Sequence, residues 1–173
     1  MSTSEYLAFL PMLIYGIALA DLFRQWSRFI NLKQIFFPYL LLTVILTETA
    51  LYNVFLFAGL LEHLEGLTYA NYLVYLVPPF LFLLTTIFFT PGEDADTEEY
   101  FMKHMPVFMS LFALFIASHI LYEFNEQKTI FVMRGIAILV ILLAGILRKK
   151  WMIYLLAVLW ILSFFSKGAA VAV

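Results

Sequence analysis

The chain has 173 residues, 64% of them hydrophobic and only 13% charged. Soluble proteins run at about 45–50% apolar and about 25% charged, so a water-soluble domain of this size could not hide so much apolar surface. The formal net charge is −2 and Cys is absent, which excludes a nucleic-acid binder, a disulfide scaffold and cysteine chemistry; the composition also excludes a disordered chain or a coiled coil.

A membrane span needs about 20 apolar residues. Taken in chain order, the first predicted span covers 6–23, apolar from Tyr6 to Ala20 with Glu5 and Asp21 at its two interfaces. It lacks the basic n-region of a secretory signal and reads as a retained span. Residues 24–33 suit a short interfacial helix, with Trp26, Phe29 and Ile30 on one face and Arg24 and Arg28 on another. The second span, 35–61, is broken only by Glu48, and the third, 67–90, carries no charge but holds Pro78-Pro79. Residues 91–99 are an acidic turn in which Asp96 or Thr97 caps the fourth helix and Glu98 and Glu99 occupy its first turn. The remaining spans are 104–123, 129–147, broken only by Arg134, and 151–167. Runs such as Leu81-Phe82-Leu83-Leu84 are apolar on consecutive positions, which a β-barrel strand would not be.

The expected fold class is therefore an all-α polytopic integral membrane protein, one transmembrane domain over 1–173 with six helices in two triplets. An odd number of spans per half makes any internal repeat an inverted one, and Leu10-Pro11 and Met105-Pro106 each open an apolar helix. Arg24, Arg28, Lys33, Lys103, Arg148, Lys149 and Lys150 fall on one side, against Lys128 and Lys167 on the other. The positive-inside rule then puts both termini outside, in a membrane of the bacterial inner (plasma) type. Trp26, Tyr39, Trp151 and Tyr154 are expected to form an inner aromatic belt, and Tyr69, Tyr72 and Tyr122 an outer one.

Ionisable groups at membrane depth are functional candidates by default. At about 1.5 Å per residue from the inner end of each span, Glu48 lies about 18 Å up, Pro78 and Pro79 about 18 Å, His119 and Arg134 about 20 Å, and Tyr75 about 22 Å. The two prolines withdraw the usual donors from the carbonyls of Val74 and Tyr75, which must then be satisfied by protein or line a watered cavity. Glu48, His119, Arg134, Tyr75, Pro78 and Pro79 thus form one expected layer, with Asn53 and Glu123 lining its approach. The bland alternatives are carboxylic-acid glue for Glu48, a packing role for His119, snorkelling for Arg134 and a simple kink at the prolines. Phe108, Phe112 and Phe115 lead to His119 at helical spacing and read as packing rather than a gate.

No His-Glu-x-x-His, nucleophile elbow or phosphate loop occurs. Glu62-His63-Leu64-Glu65 reads as a solvated loop, and His119 with Glu123 as an i, i+4 pair lacking a third metal ligand. Glu98-Glu99-Tyr100-Phe101-Met102-Lys103 is similar to the Glu-Glu-x-x-x-Arg motif of the CAAX-type intramembrane proteases, and Phe115 to His119 to their Phe-x-x-x-His pattern. Lys stands for Arg, the acidic pair sits in a charged loop and the chain is short, so the family is not assigned. The expectation is a non-enzymatic channel or transporter for protons or a small ion, without cofactor or metal; the alternatives are a non-catalytic membrane subunit or scaffold, or an intramembrane enzyme. Its expected partners are the lipid bilayer, the ion and other copies of the chain, and not nucleic acid.

Overall fold

The computed structural model describes residues 3–30, 35–59, 68–119 and 128–171. Among them are six α-helices and no strand: α1 (Thr3–Trp26), α2 (Phe37–Gly59), α3 (Tyr69–Phe89), α4 (Thr97–Ser118), α5 (Lys128–Leu147) and α6 (Lys150–Val171). Four apolar segments, Leu7–Phe29, Phe37–Leu56, Tyr69–Phe89 and Thr97–Ser118, are long enough to cross a membrane, which points to an integral membrane protein.

Local chemistry sets the helix starts. Asp96 is extended (φ −62°, ψ 120°), and its carboxylate accepts the Glu99 N–H at 2.8 Å. Glu98 and Glu99 then place negative charge in the positive first turn. Helix α4 therefore begins at Thr97, as the expected Asp96 cap requires, seven residues before the apolar span expected from 104; charge-free sequence marks where a helix enters hydrocarbon, not where it is capped. Thr68 caps α3 in the same way, accepting the Asn71 N–H at 3.3 Å. Pro11, Pro78, Pro79 and Pro106 all lie inside continuous helices. Pro11 and Pro106 thus do not open their helices as expected.

The helices pack as a closed ring in the order α1, α2, α6, α5, α4, α3, with α2 and α4 also touching across it. The α4–α5 seam is tight: a Cβ on Gly145 would meet the Met109 Cβ at 3.0 Å. The ring is filled by aromatic side chains. Tyr39 stacks on Phe89 at 4.6 Å, Phe89 meets Phe108 edge-on at 5.4 Å, and Phe82 lies 5.0 Å from Phe115. All five are fully buried. Phe108, Phe112 and Phe115 are thus core, as expected. Tyr39 is not: it is 0% exposed rather than part of a surface belt, and its hydroxyl is buried without a hydrogen-bond partner among the described residues. Trp26, Trp151, Tyr154 and Tyr69 are exposed, Tyr72 is half-buried, and Tyr122 lies outside the described residues.

One side chain organises the end of the ring that carries the α3–α4 turn. A single 3-10 turn, Ser27–Phe29, continues α1 and brings Arg28 back over residues 91–97. Its Nη2 donates to the carbonyls of Gly92, of Glu93 at 3.2 Å and of Pro91 at 3.4 Å. Its Nη1 donates to the Ala95 carbonyl and the Thr97 hydroxyl, both at 3.3 Å, and its Nε to Gln25 Oε1 at 3.0 Å. The expected polar face of an interfacial helix is instead a guanidinium fork spread over a turn. The same end is tied by Lys150 to Glu98, with the ammonium 5.3 Å from the Phe36 ring centroid.

Hydrogen bonds from a charged donor contribute about 1.5–3 kcal/mol. Arg28→Gln is expected to lower the unfolding free energy by about 2 kcal/mol. Arg28→Lys should restore less than half of that loss, because an ammonium lacks the planar fork. Thermal unfolding in detergent measures both.

Candidate functional site

The polar groups expected in one layer resolve into two separate contacts. The first lies mid-way along α2. Glu48 is about 16 Å from the start of that helix by its rise, half-buried, and its Oε2 accepts the indole N–H of Trp160 on α6 at 2.8 Å. Trp160 was not among the expected site residues. Its indole N–H, one helical face from a carboxylate, was the available signal, but nothing in the sequence says that α6 sits beside α2.

The second contact bridges the ring. Because α4 starts at Thr97, His119 stands about 33 Å along it, at its far end rather than near its centre. There the ring Nδ1 lies 2.9 Å from the Phe115 carbonyl, and Nε2 lies 2.8 Å from Asn53 Oδ1 on α2. Asn53 is nine-tenths buried, at 5% exposure, and its Nδ2 donates to the Thr49 carbonyl at 2.8 Å. The Phe115 carbonyl also accepts from Ser118 Oγ at 2.6 Å, and the Phe115 ring meets the His119 imidazole edge-on at 4.7 Å.

This geometry has a protonation consequence. Both His119 nitrogens face oxygen acceptors, while Asn53 spends its donor on Thr49. An imidazolium, with two N–H donors, satisfies every group. A neutral ring donates from one nitrogen; with the proton on Nε2 it still donates to Asn53 Oδ1, while the Phe115 carbonyl keeps the Ser118 hydroxyl as its donor.

The other expected residues fall elsewhere. Arg134 is half-exposed on α5, which is not a ring neighbour of α2, and is engaged in contacts of its own. Pro78 and Pro79 are buried in α3, which stays helical through them. Val74 and Tyr75, whose carbonyls lose their usual donors, both make further interactions, and Tyr75 is half-buried. Glu123 and the cluster Glu62 to Glu65 lie outside the described residues. Among the described residues no group of three His, Asp or Glu side chains is placed to hold a metal ion. The two motif fragments that resemble the CAAX-type proteases do not converge: Glu98 and Glu99 open α4 and His119 follows its end, about 30 Å apart by helical rise.

Comparison with protein-family models, with curated proteins and with solved structures finds no match to this chain.

The Asn53–His119 contact makes a direct prediction. Asn53→Leu and His119→Phe should each cost about 0.5–1.5 kcal/mol, because each removes one part-buried hydrogen bond between α2 and α4. The double variant should cost at least 0.5 kcal/mol less than the sum. Additive losses in a double-mutant cycle on thermal stability would show that the two side chains do not act together.

Proposed function

We propose that this chain is a small six-span membrane protein that moves protons or a small ion past a polar site within the ring, with both termini on the outer side. The observation that supports it best is the Asn53–His119 bridge: a proton-accepting side chain at the far end of one helix bonded to a buried amide on the helix across the ring. Glu48 adds a titratable carboxyl deeper in the bundle, held by Trp160. The turn-end half of the ring is filled by Tyr39, Phe89, Phe101 and Phe108, so passage would need these rings to shift. That favours a carrier that changes conformation over a continuously open pore.

The six-span topology is part of the proposal. α5 and α6 supply shorter described apolar segments, Phe131–Leu147 and Lys150–Ser163, and the Lys/Arg asymmetry sets their direction. An inverted repeat gains no support from the neighbour pattern: α1 packs on α3, but the extensive contacts of α4 run to α3 and α5. A second reading, a non-catalytic membrane subunit or scaffold, is favoured by the aromatic filling itself, which gives the ring a solid core.

Flux in liposomes separates them. Wild-type protein under a pH gradient should acidify or alkalinise the lumen, and Glu48→Gln and His119→Gln should each reduce the rate at least tenfold while remaining folded. Gln keeps the hydrogen bonding and removes the titrating proton. Wild-type rates in both variants across pH 5–8 would refute the proton-site reading, and no flux in any form would favour the subunit. Single cysteines check the topology: Ser2→Cys and Ala170→Cys should react with an impermeant thiol reagent in intact cells, and Ala95→Cys should not.

A further inference from the structure

We propose that Arg148 and Lys149, at the tip of the α5–α6 hairpin, form with Trp151 and Tyr154 a site for the headgroup of an anionic phospholipid; this rests on α6 lying in the bilayer, as in the six-span reading.

Helix α5 ends at Leu147 and α6 begins at Lys150, so only Arg148 and Lys149 make the turn. Arg148 adopts φ 49°, the one left-handed non-glycine residue among those described, and its N–H closes α5 on the Ala144 carbonyl at 2.9 Å. Helix ends of this kind usually take Gly or Asn, which tolerate that conformation. An Arg here meets the turn's need less well than Gly would, so its side chain is what the position supplies.

That side chain has no partner within the protein. Neither the Arg148 guanidinium nor the Lys149 ammonium makes a hydrogen bond or ion pair among the described residues, and both are exposed. Lys150, next in sequence, is spent on Glu98 and the Phe36 ring. Two free cations thus crown the hairpin. Directly beyond them Trp151 is 58% and Tyr154 45% exposed, followed by exposed Leu155, Val158 and Leu162 along α6. Positions 151, 155, 158 and 162 recur at helical spacing and share one face.

The series matches a phospholipid read from the outside in. Cations meet the phosphate, the amphipathic rings suit the glycerol and ester level where Trp and Tyr concentrate, and the aliphatic side chains lie along an acyl tail. Two unpaired cations select a headgroup whose phosphate charge is not cancelled by choline.

The test is native mass spectrometry of the detergent-purified full chain with added phosphatidylglycerol or phosphatidylcholine. Wild type should retain phosphatidylglycerol preferentially. Arg148→Gly combined with Lys149→Ser should retain it roughly twenty-five-fold more weakly, at about fivefold per cation. The variant should stay folded, with an unchanged or higher Tm, since glycine suits the turn. A second variant, Arg24→Gln with Lys103→Gln, removes two exposed cations from the same end and should change retention by less than about twofold. Equal retention of the two lipids, unchanged retention in the hairpin variant, or an equal loss in the second variant would each overturn the proposal. A Val158→Cys protein in vesicles keeps the two readings apart. Reaction with a water-borne maleimide would defeat the span beneath the site. A shielded cysteine with unchanged lipid retention would defeat the lipid site alone.

Discussion

Hydrocarbon offers no hydrogen-bond partner, and that constraint shapes how the hydroxyl, amide and ring N–H groups within the ring are paired. Small hydroxyls meet it within their own helix. Thr43 donates to the Tyr39 carbonyl at 2.8 Å, Thr47 to Thr43 at 2.7 Å, and Thr85 to Leu81 at 2.8 Å. Such bonds satisfy a group without linking two helices. Longer side chains reach across. Tyr72 on α3 donates to the Leu7 carbonyl on α1 at 2.9 Å, Trp160 joins α6 to α2, and His119 joins α4 to α2. Each of these cross-links joins helices that are not consecutive in the chain.

The two ends of the ring meet the constraint differently. At the turn end a guanidinium supplies donors to backbone carbonyls that no helix satisfies, and an acidic first turn on α4 takes the Lys150 charge. The apolar interior beneath is closed by aromatic rings at 4.6 to 5.4 Å, and Phe82 and Phe115 continue the packing toward the far end. Aromatic pairs at such distances add about 0.5–1.5 kcal/mol each beyond the area they bury, which resists hydration of the axis. The far half instead holds the amide–imidazole bridge.

The helices were legible in the sequence because long charge-free stretches are direct consequences of the bilayer, and Asp96 was legible as a cap because its side chain acts on its immediate neighbours. The six predicted spans match the observed helices to within a few residues, except at α4. There the apolar span counted from 104 begins seven residues inside the helix that Asp96 caps, so His119 lies at the end of the helix rather than near its centre. What the sequence could not reveal was adjacency. Glu48 and Arg134 share a depth, but α2 and α5 are not ring neighbours, whereas α2 and α6, far apart in the chain, are. Arg28 looked like a surface charge because its partners are main-chain carbonyls more than sixty residues away, which no side-chain pattern announces. Tyr39 looked like an interface tyrosine because its burial depends on Phe89 and Phe101 closing over it.

The central claim is that His119 on α4 and Asn53 on α2 are hydrogen-bonded to each other across the ring. Solid-state NMR on protein labelled with nitrogen-15 at His and Asn in lipid bilayers, with the His119 signals assigned by His119→Gln, observes both partners at once. A proton-mediated correlation between the His119 ring and the Asn53 side-chain nitrogen should appear, and it should vanish in Asn53→Leu. Its absence in the wild-type protein would contradict the account.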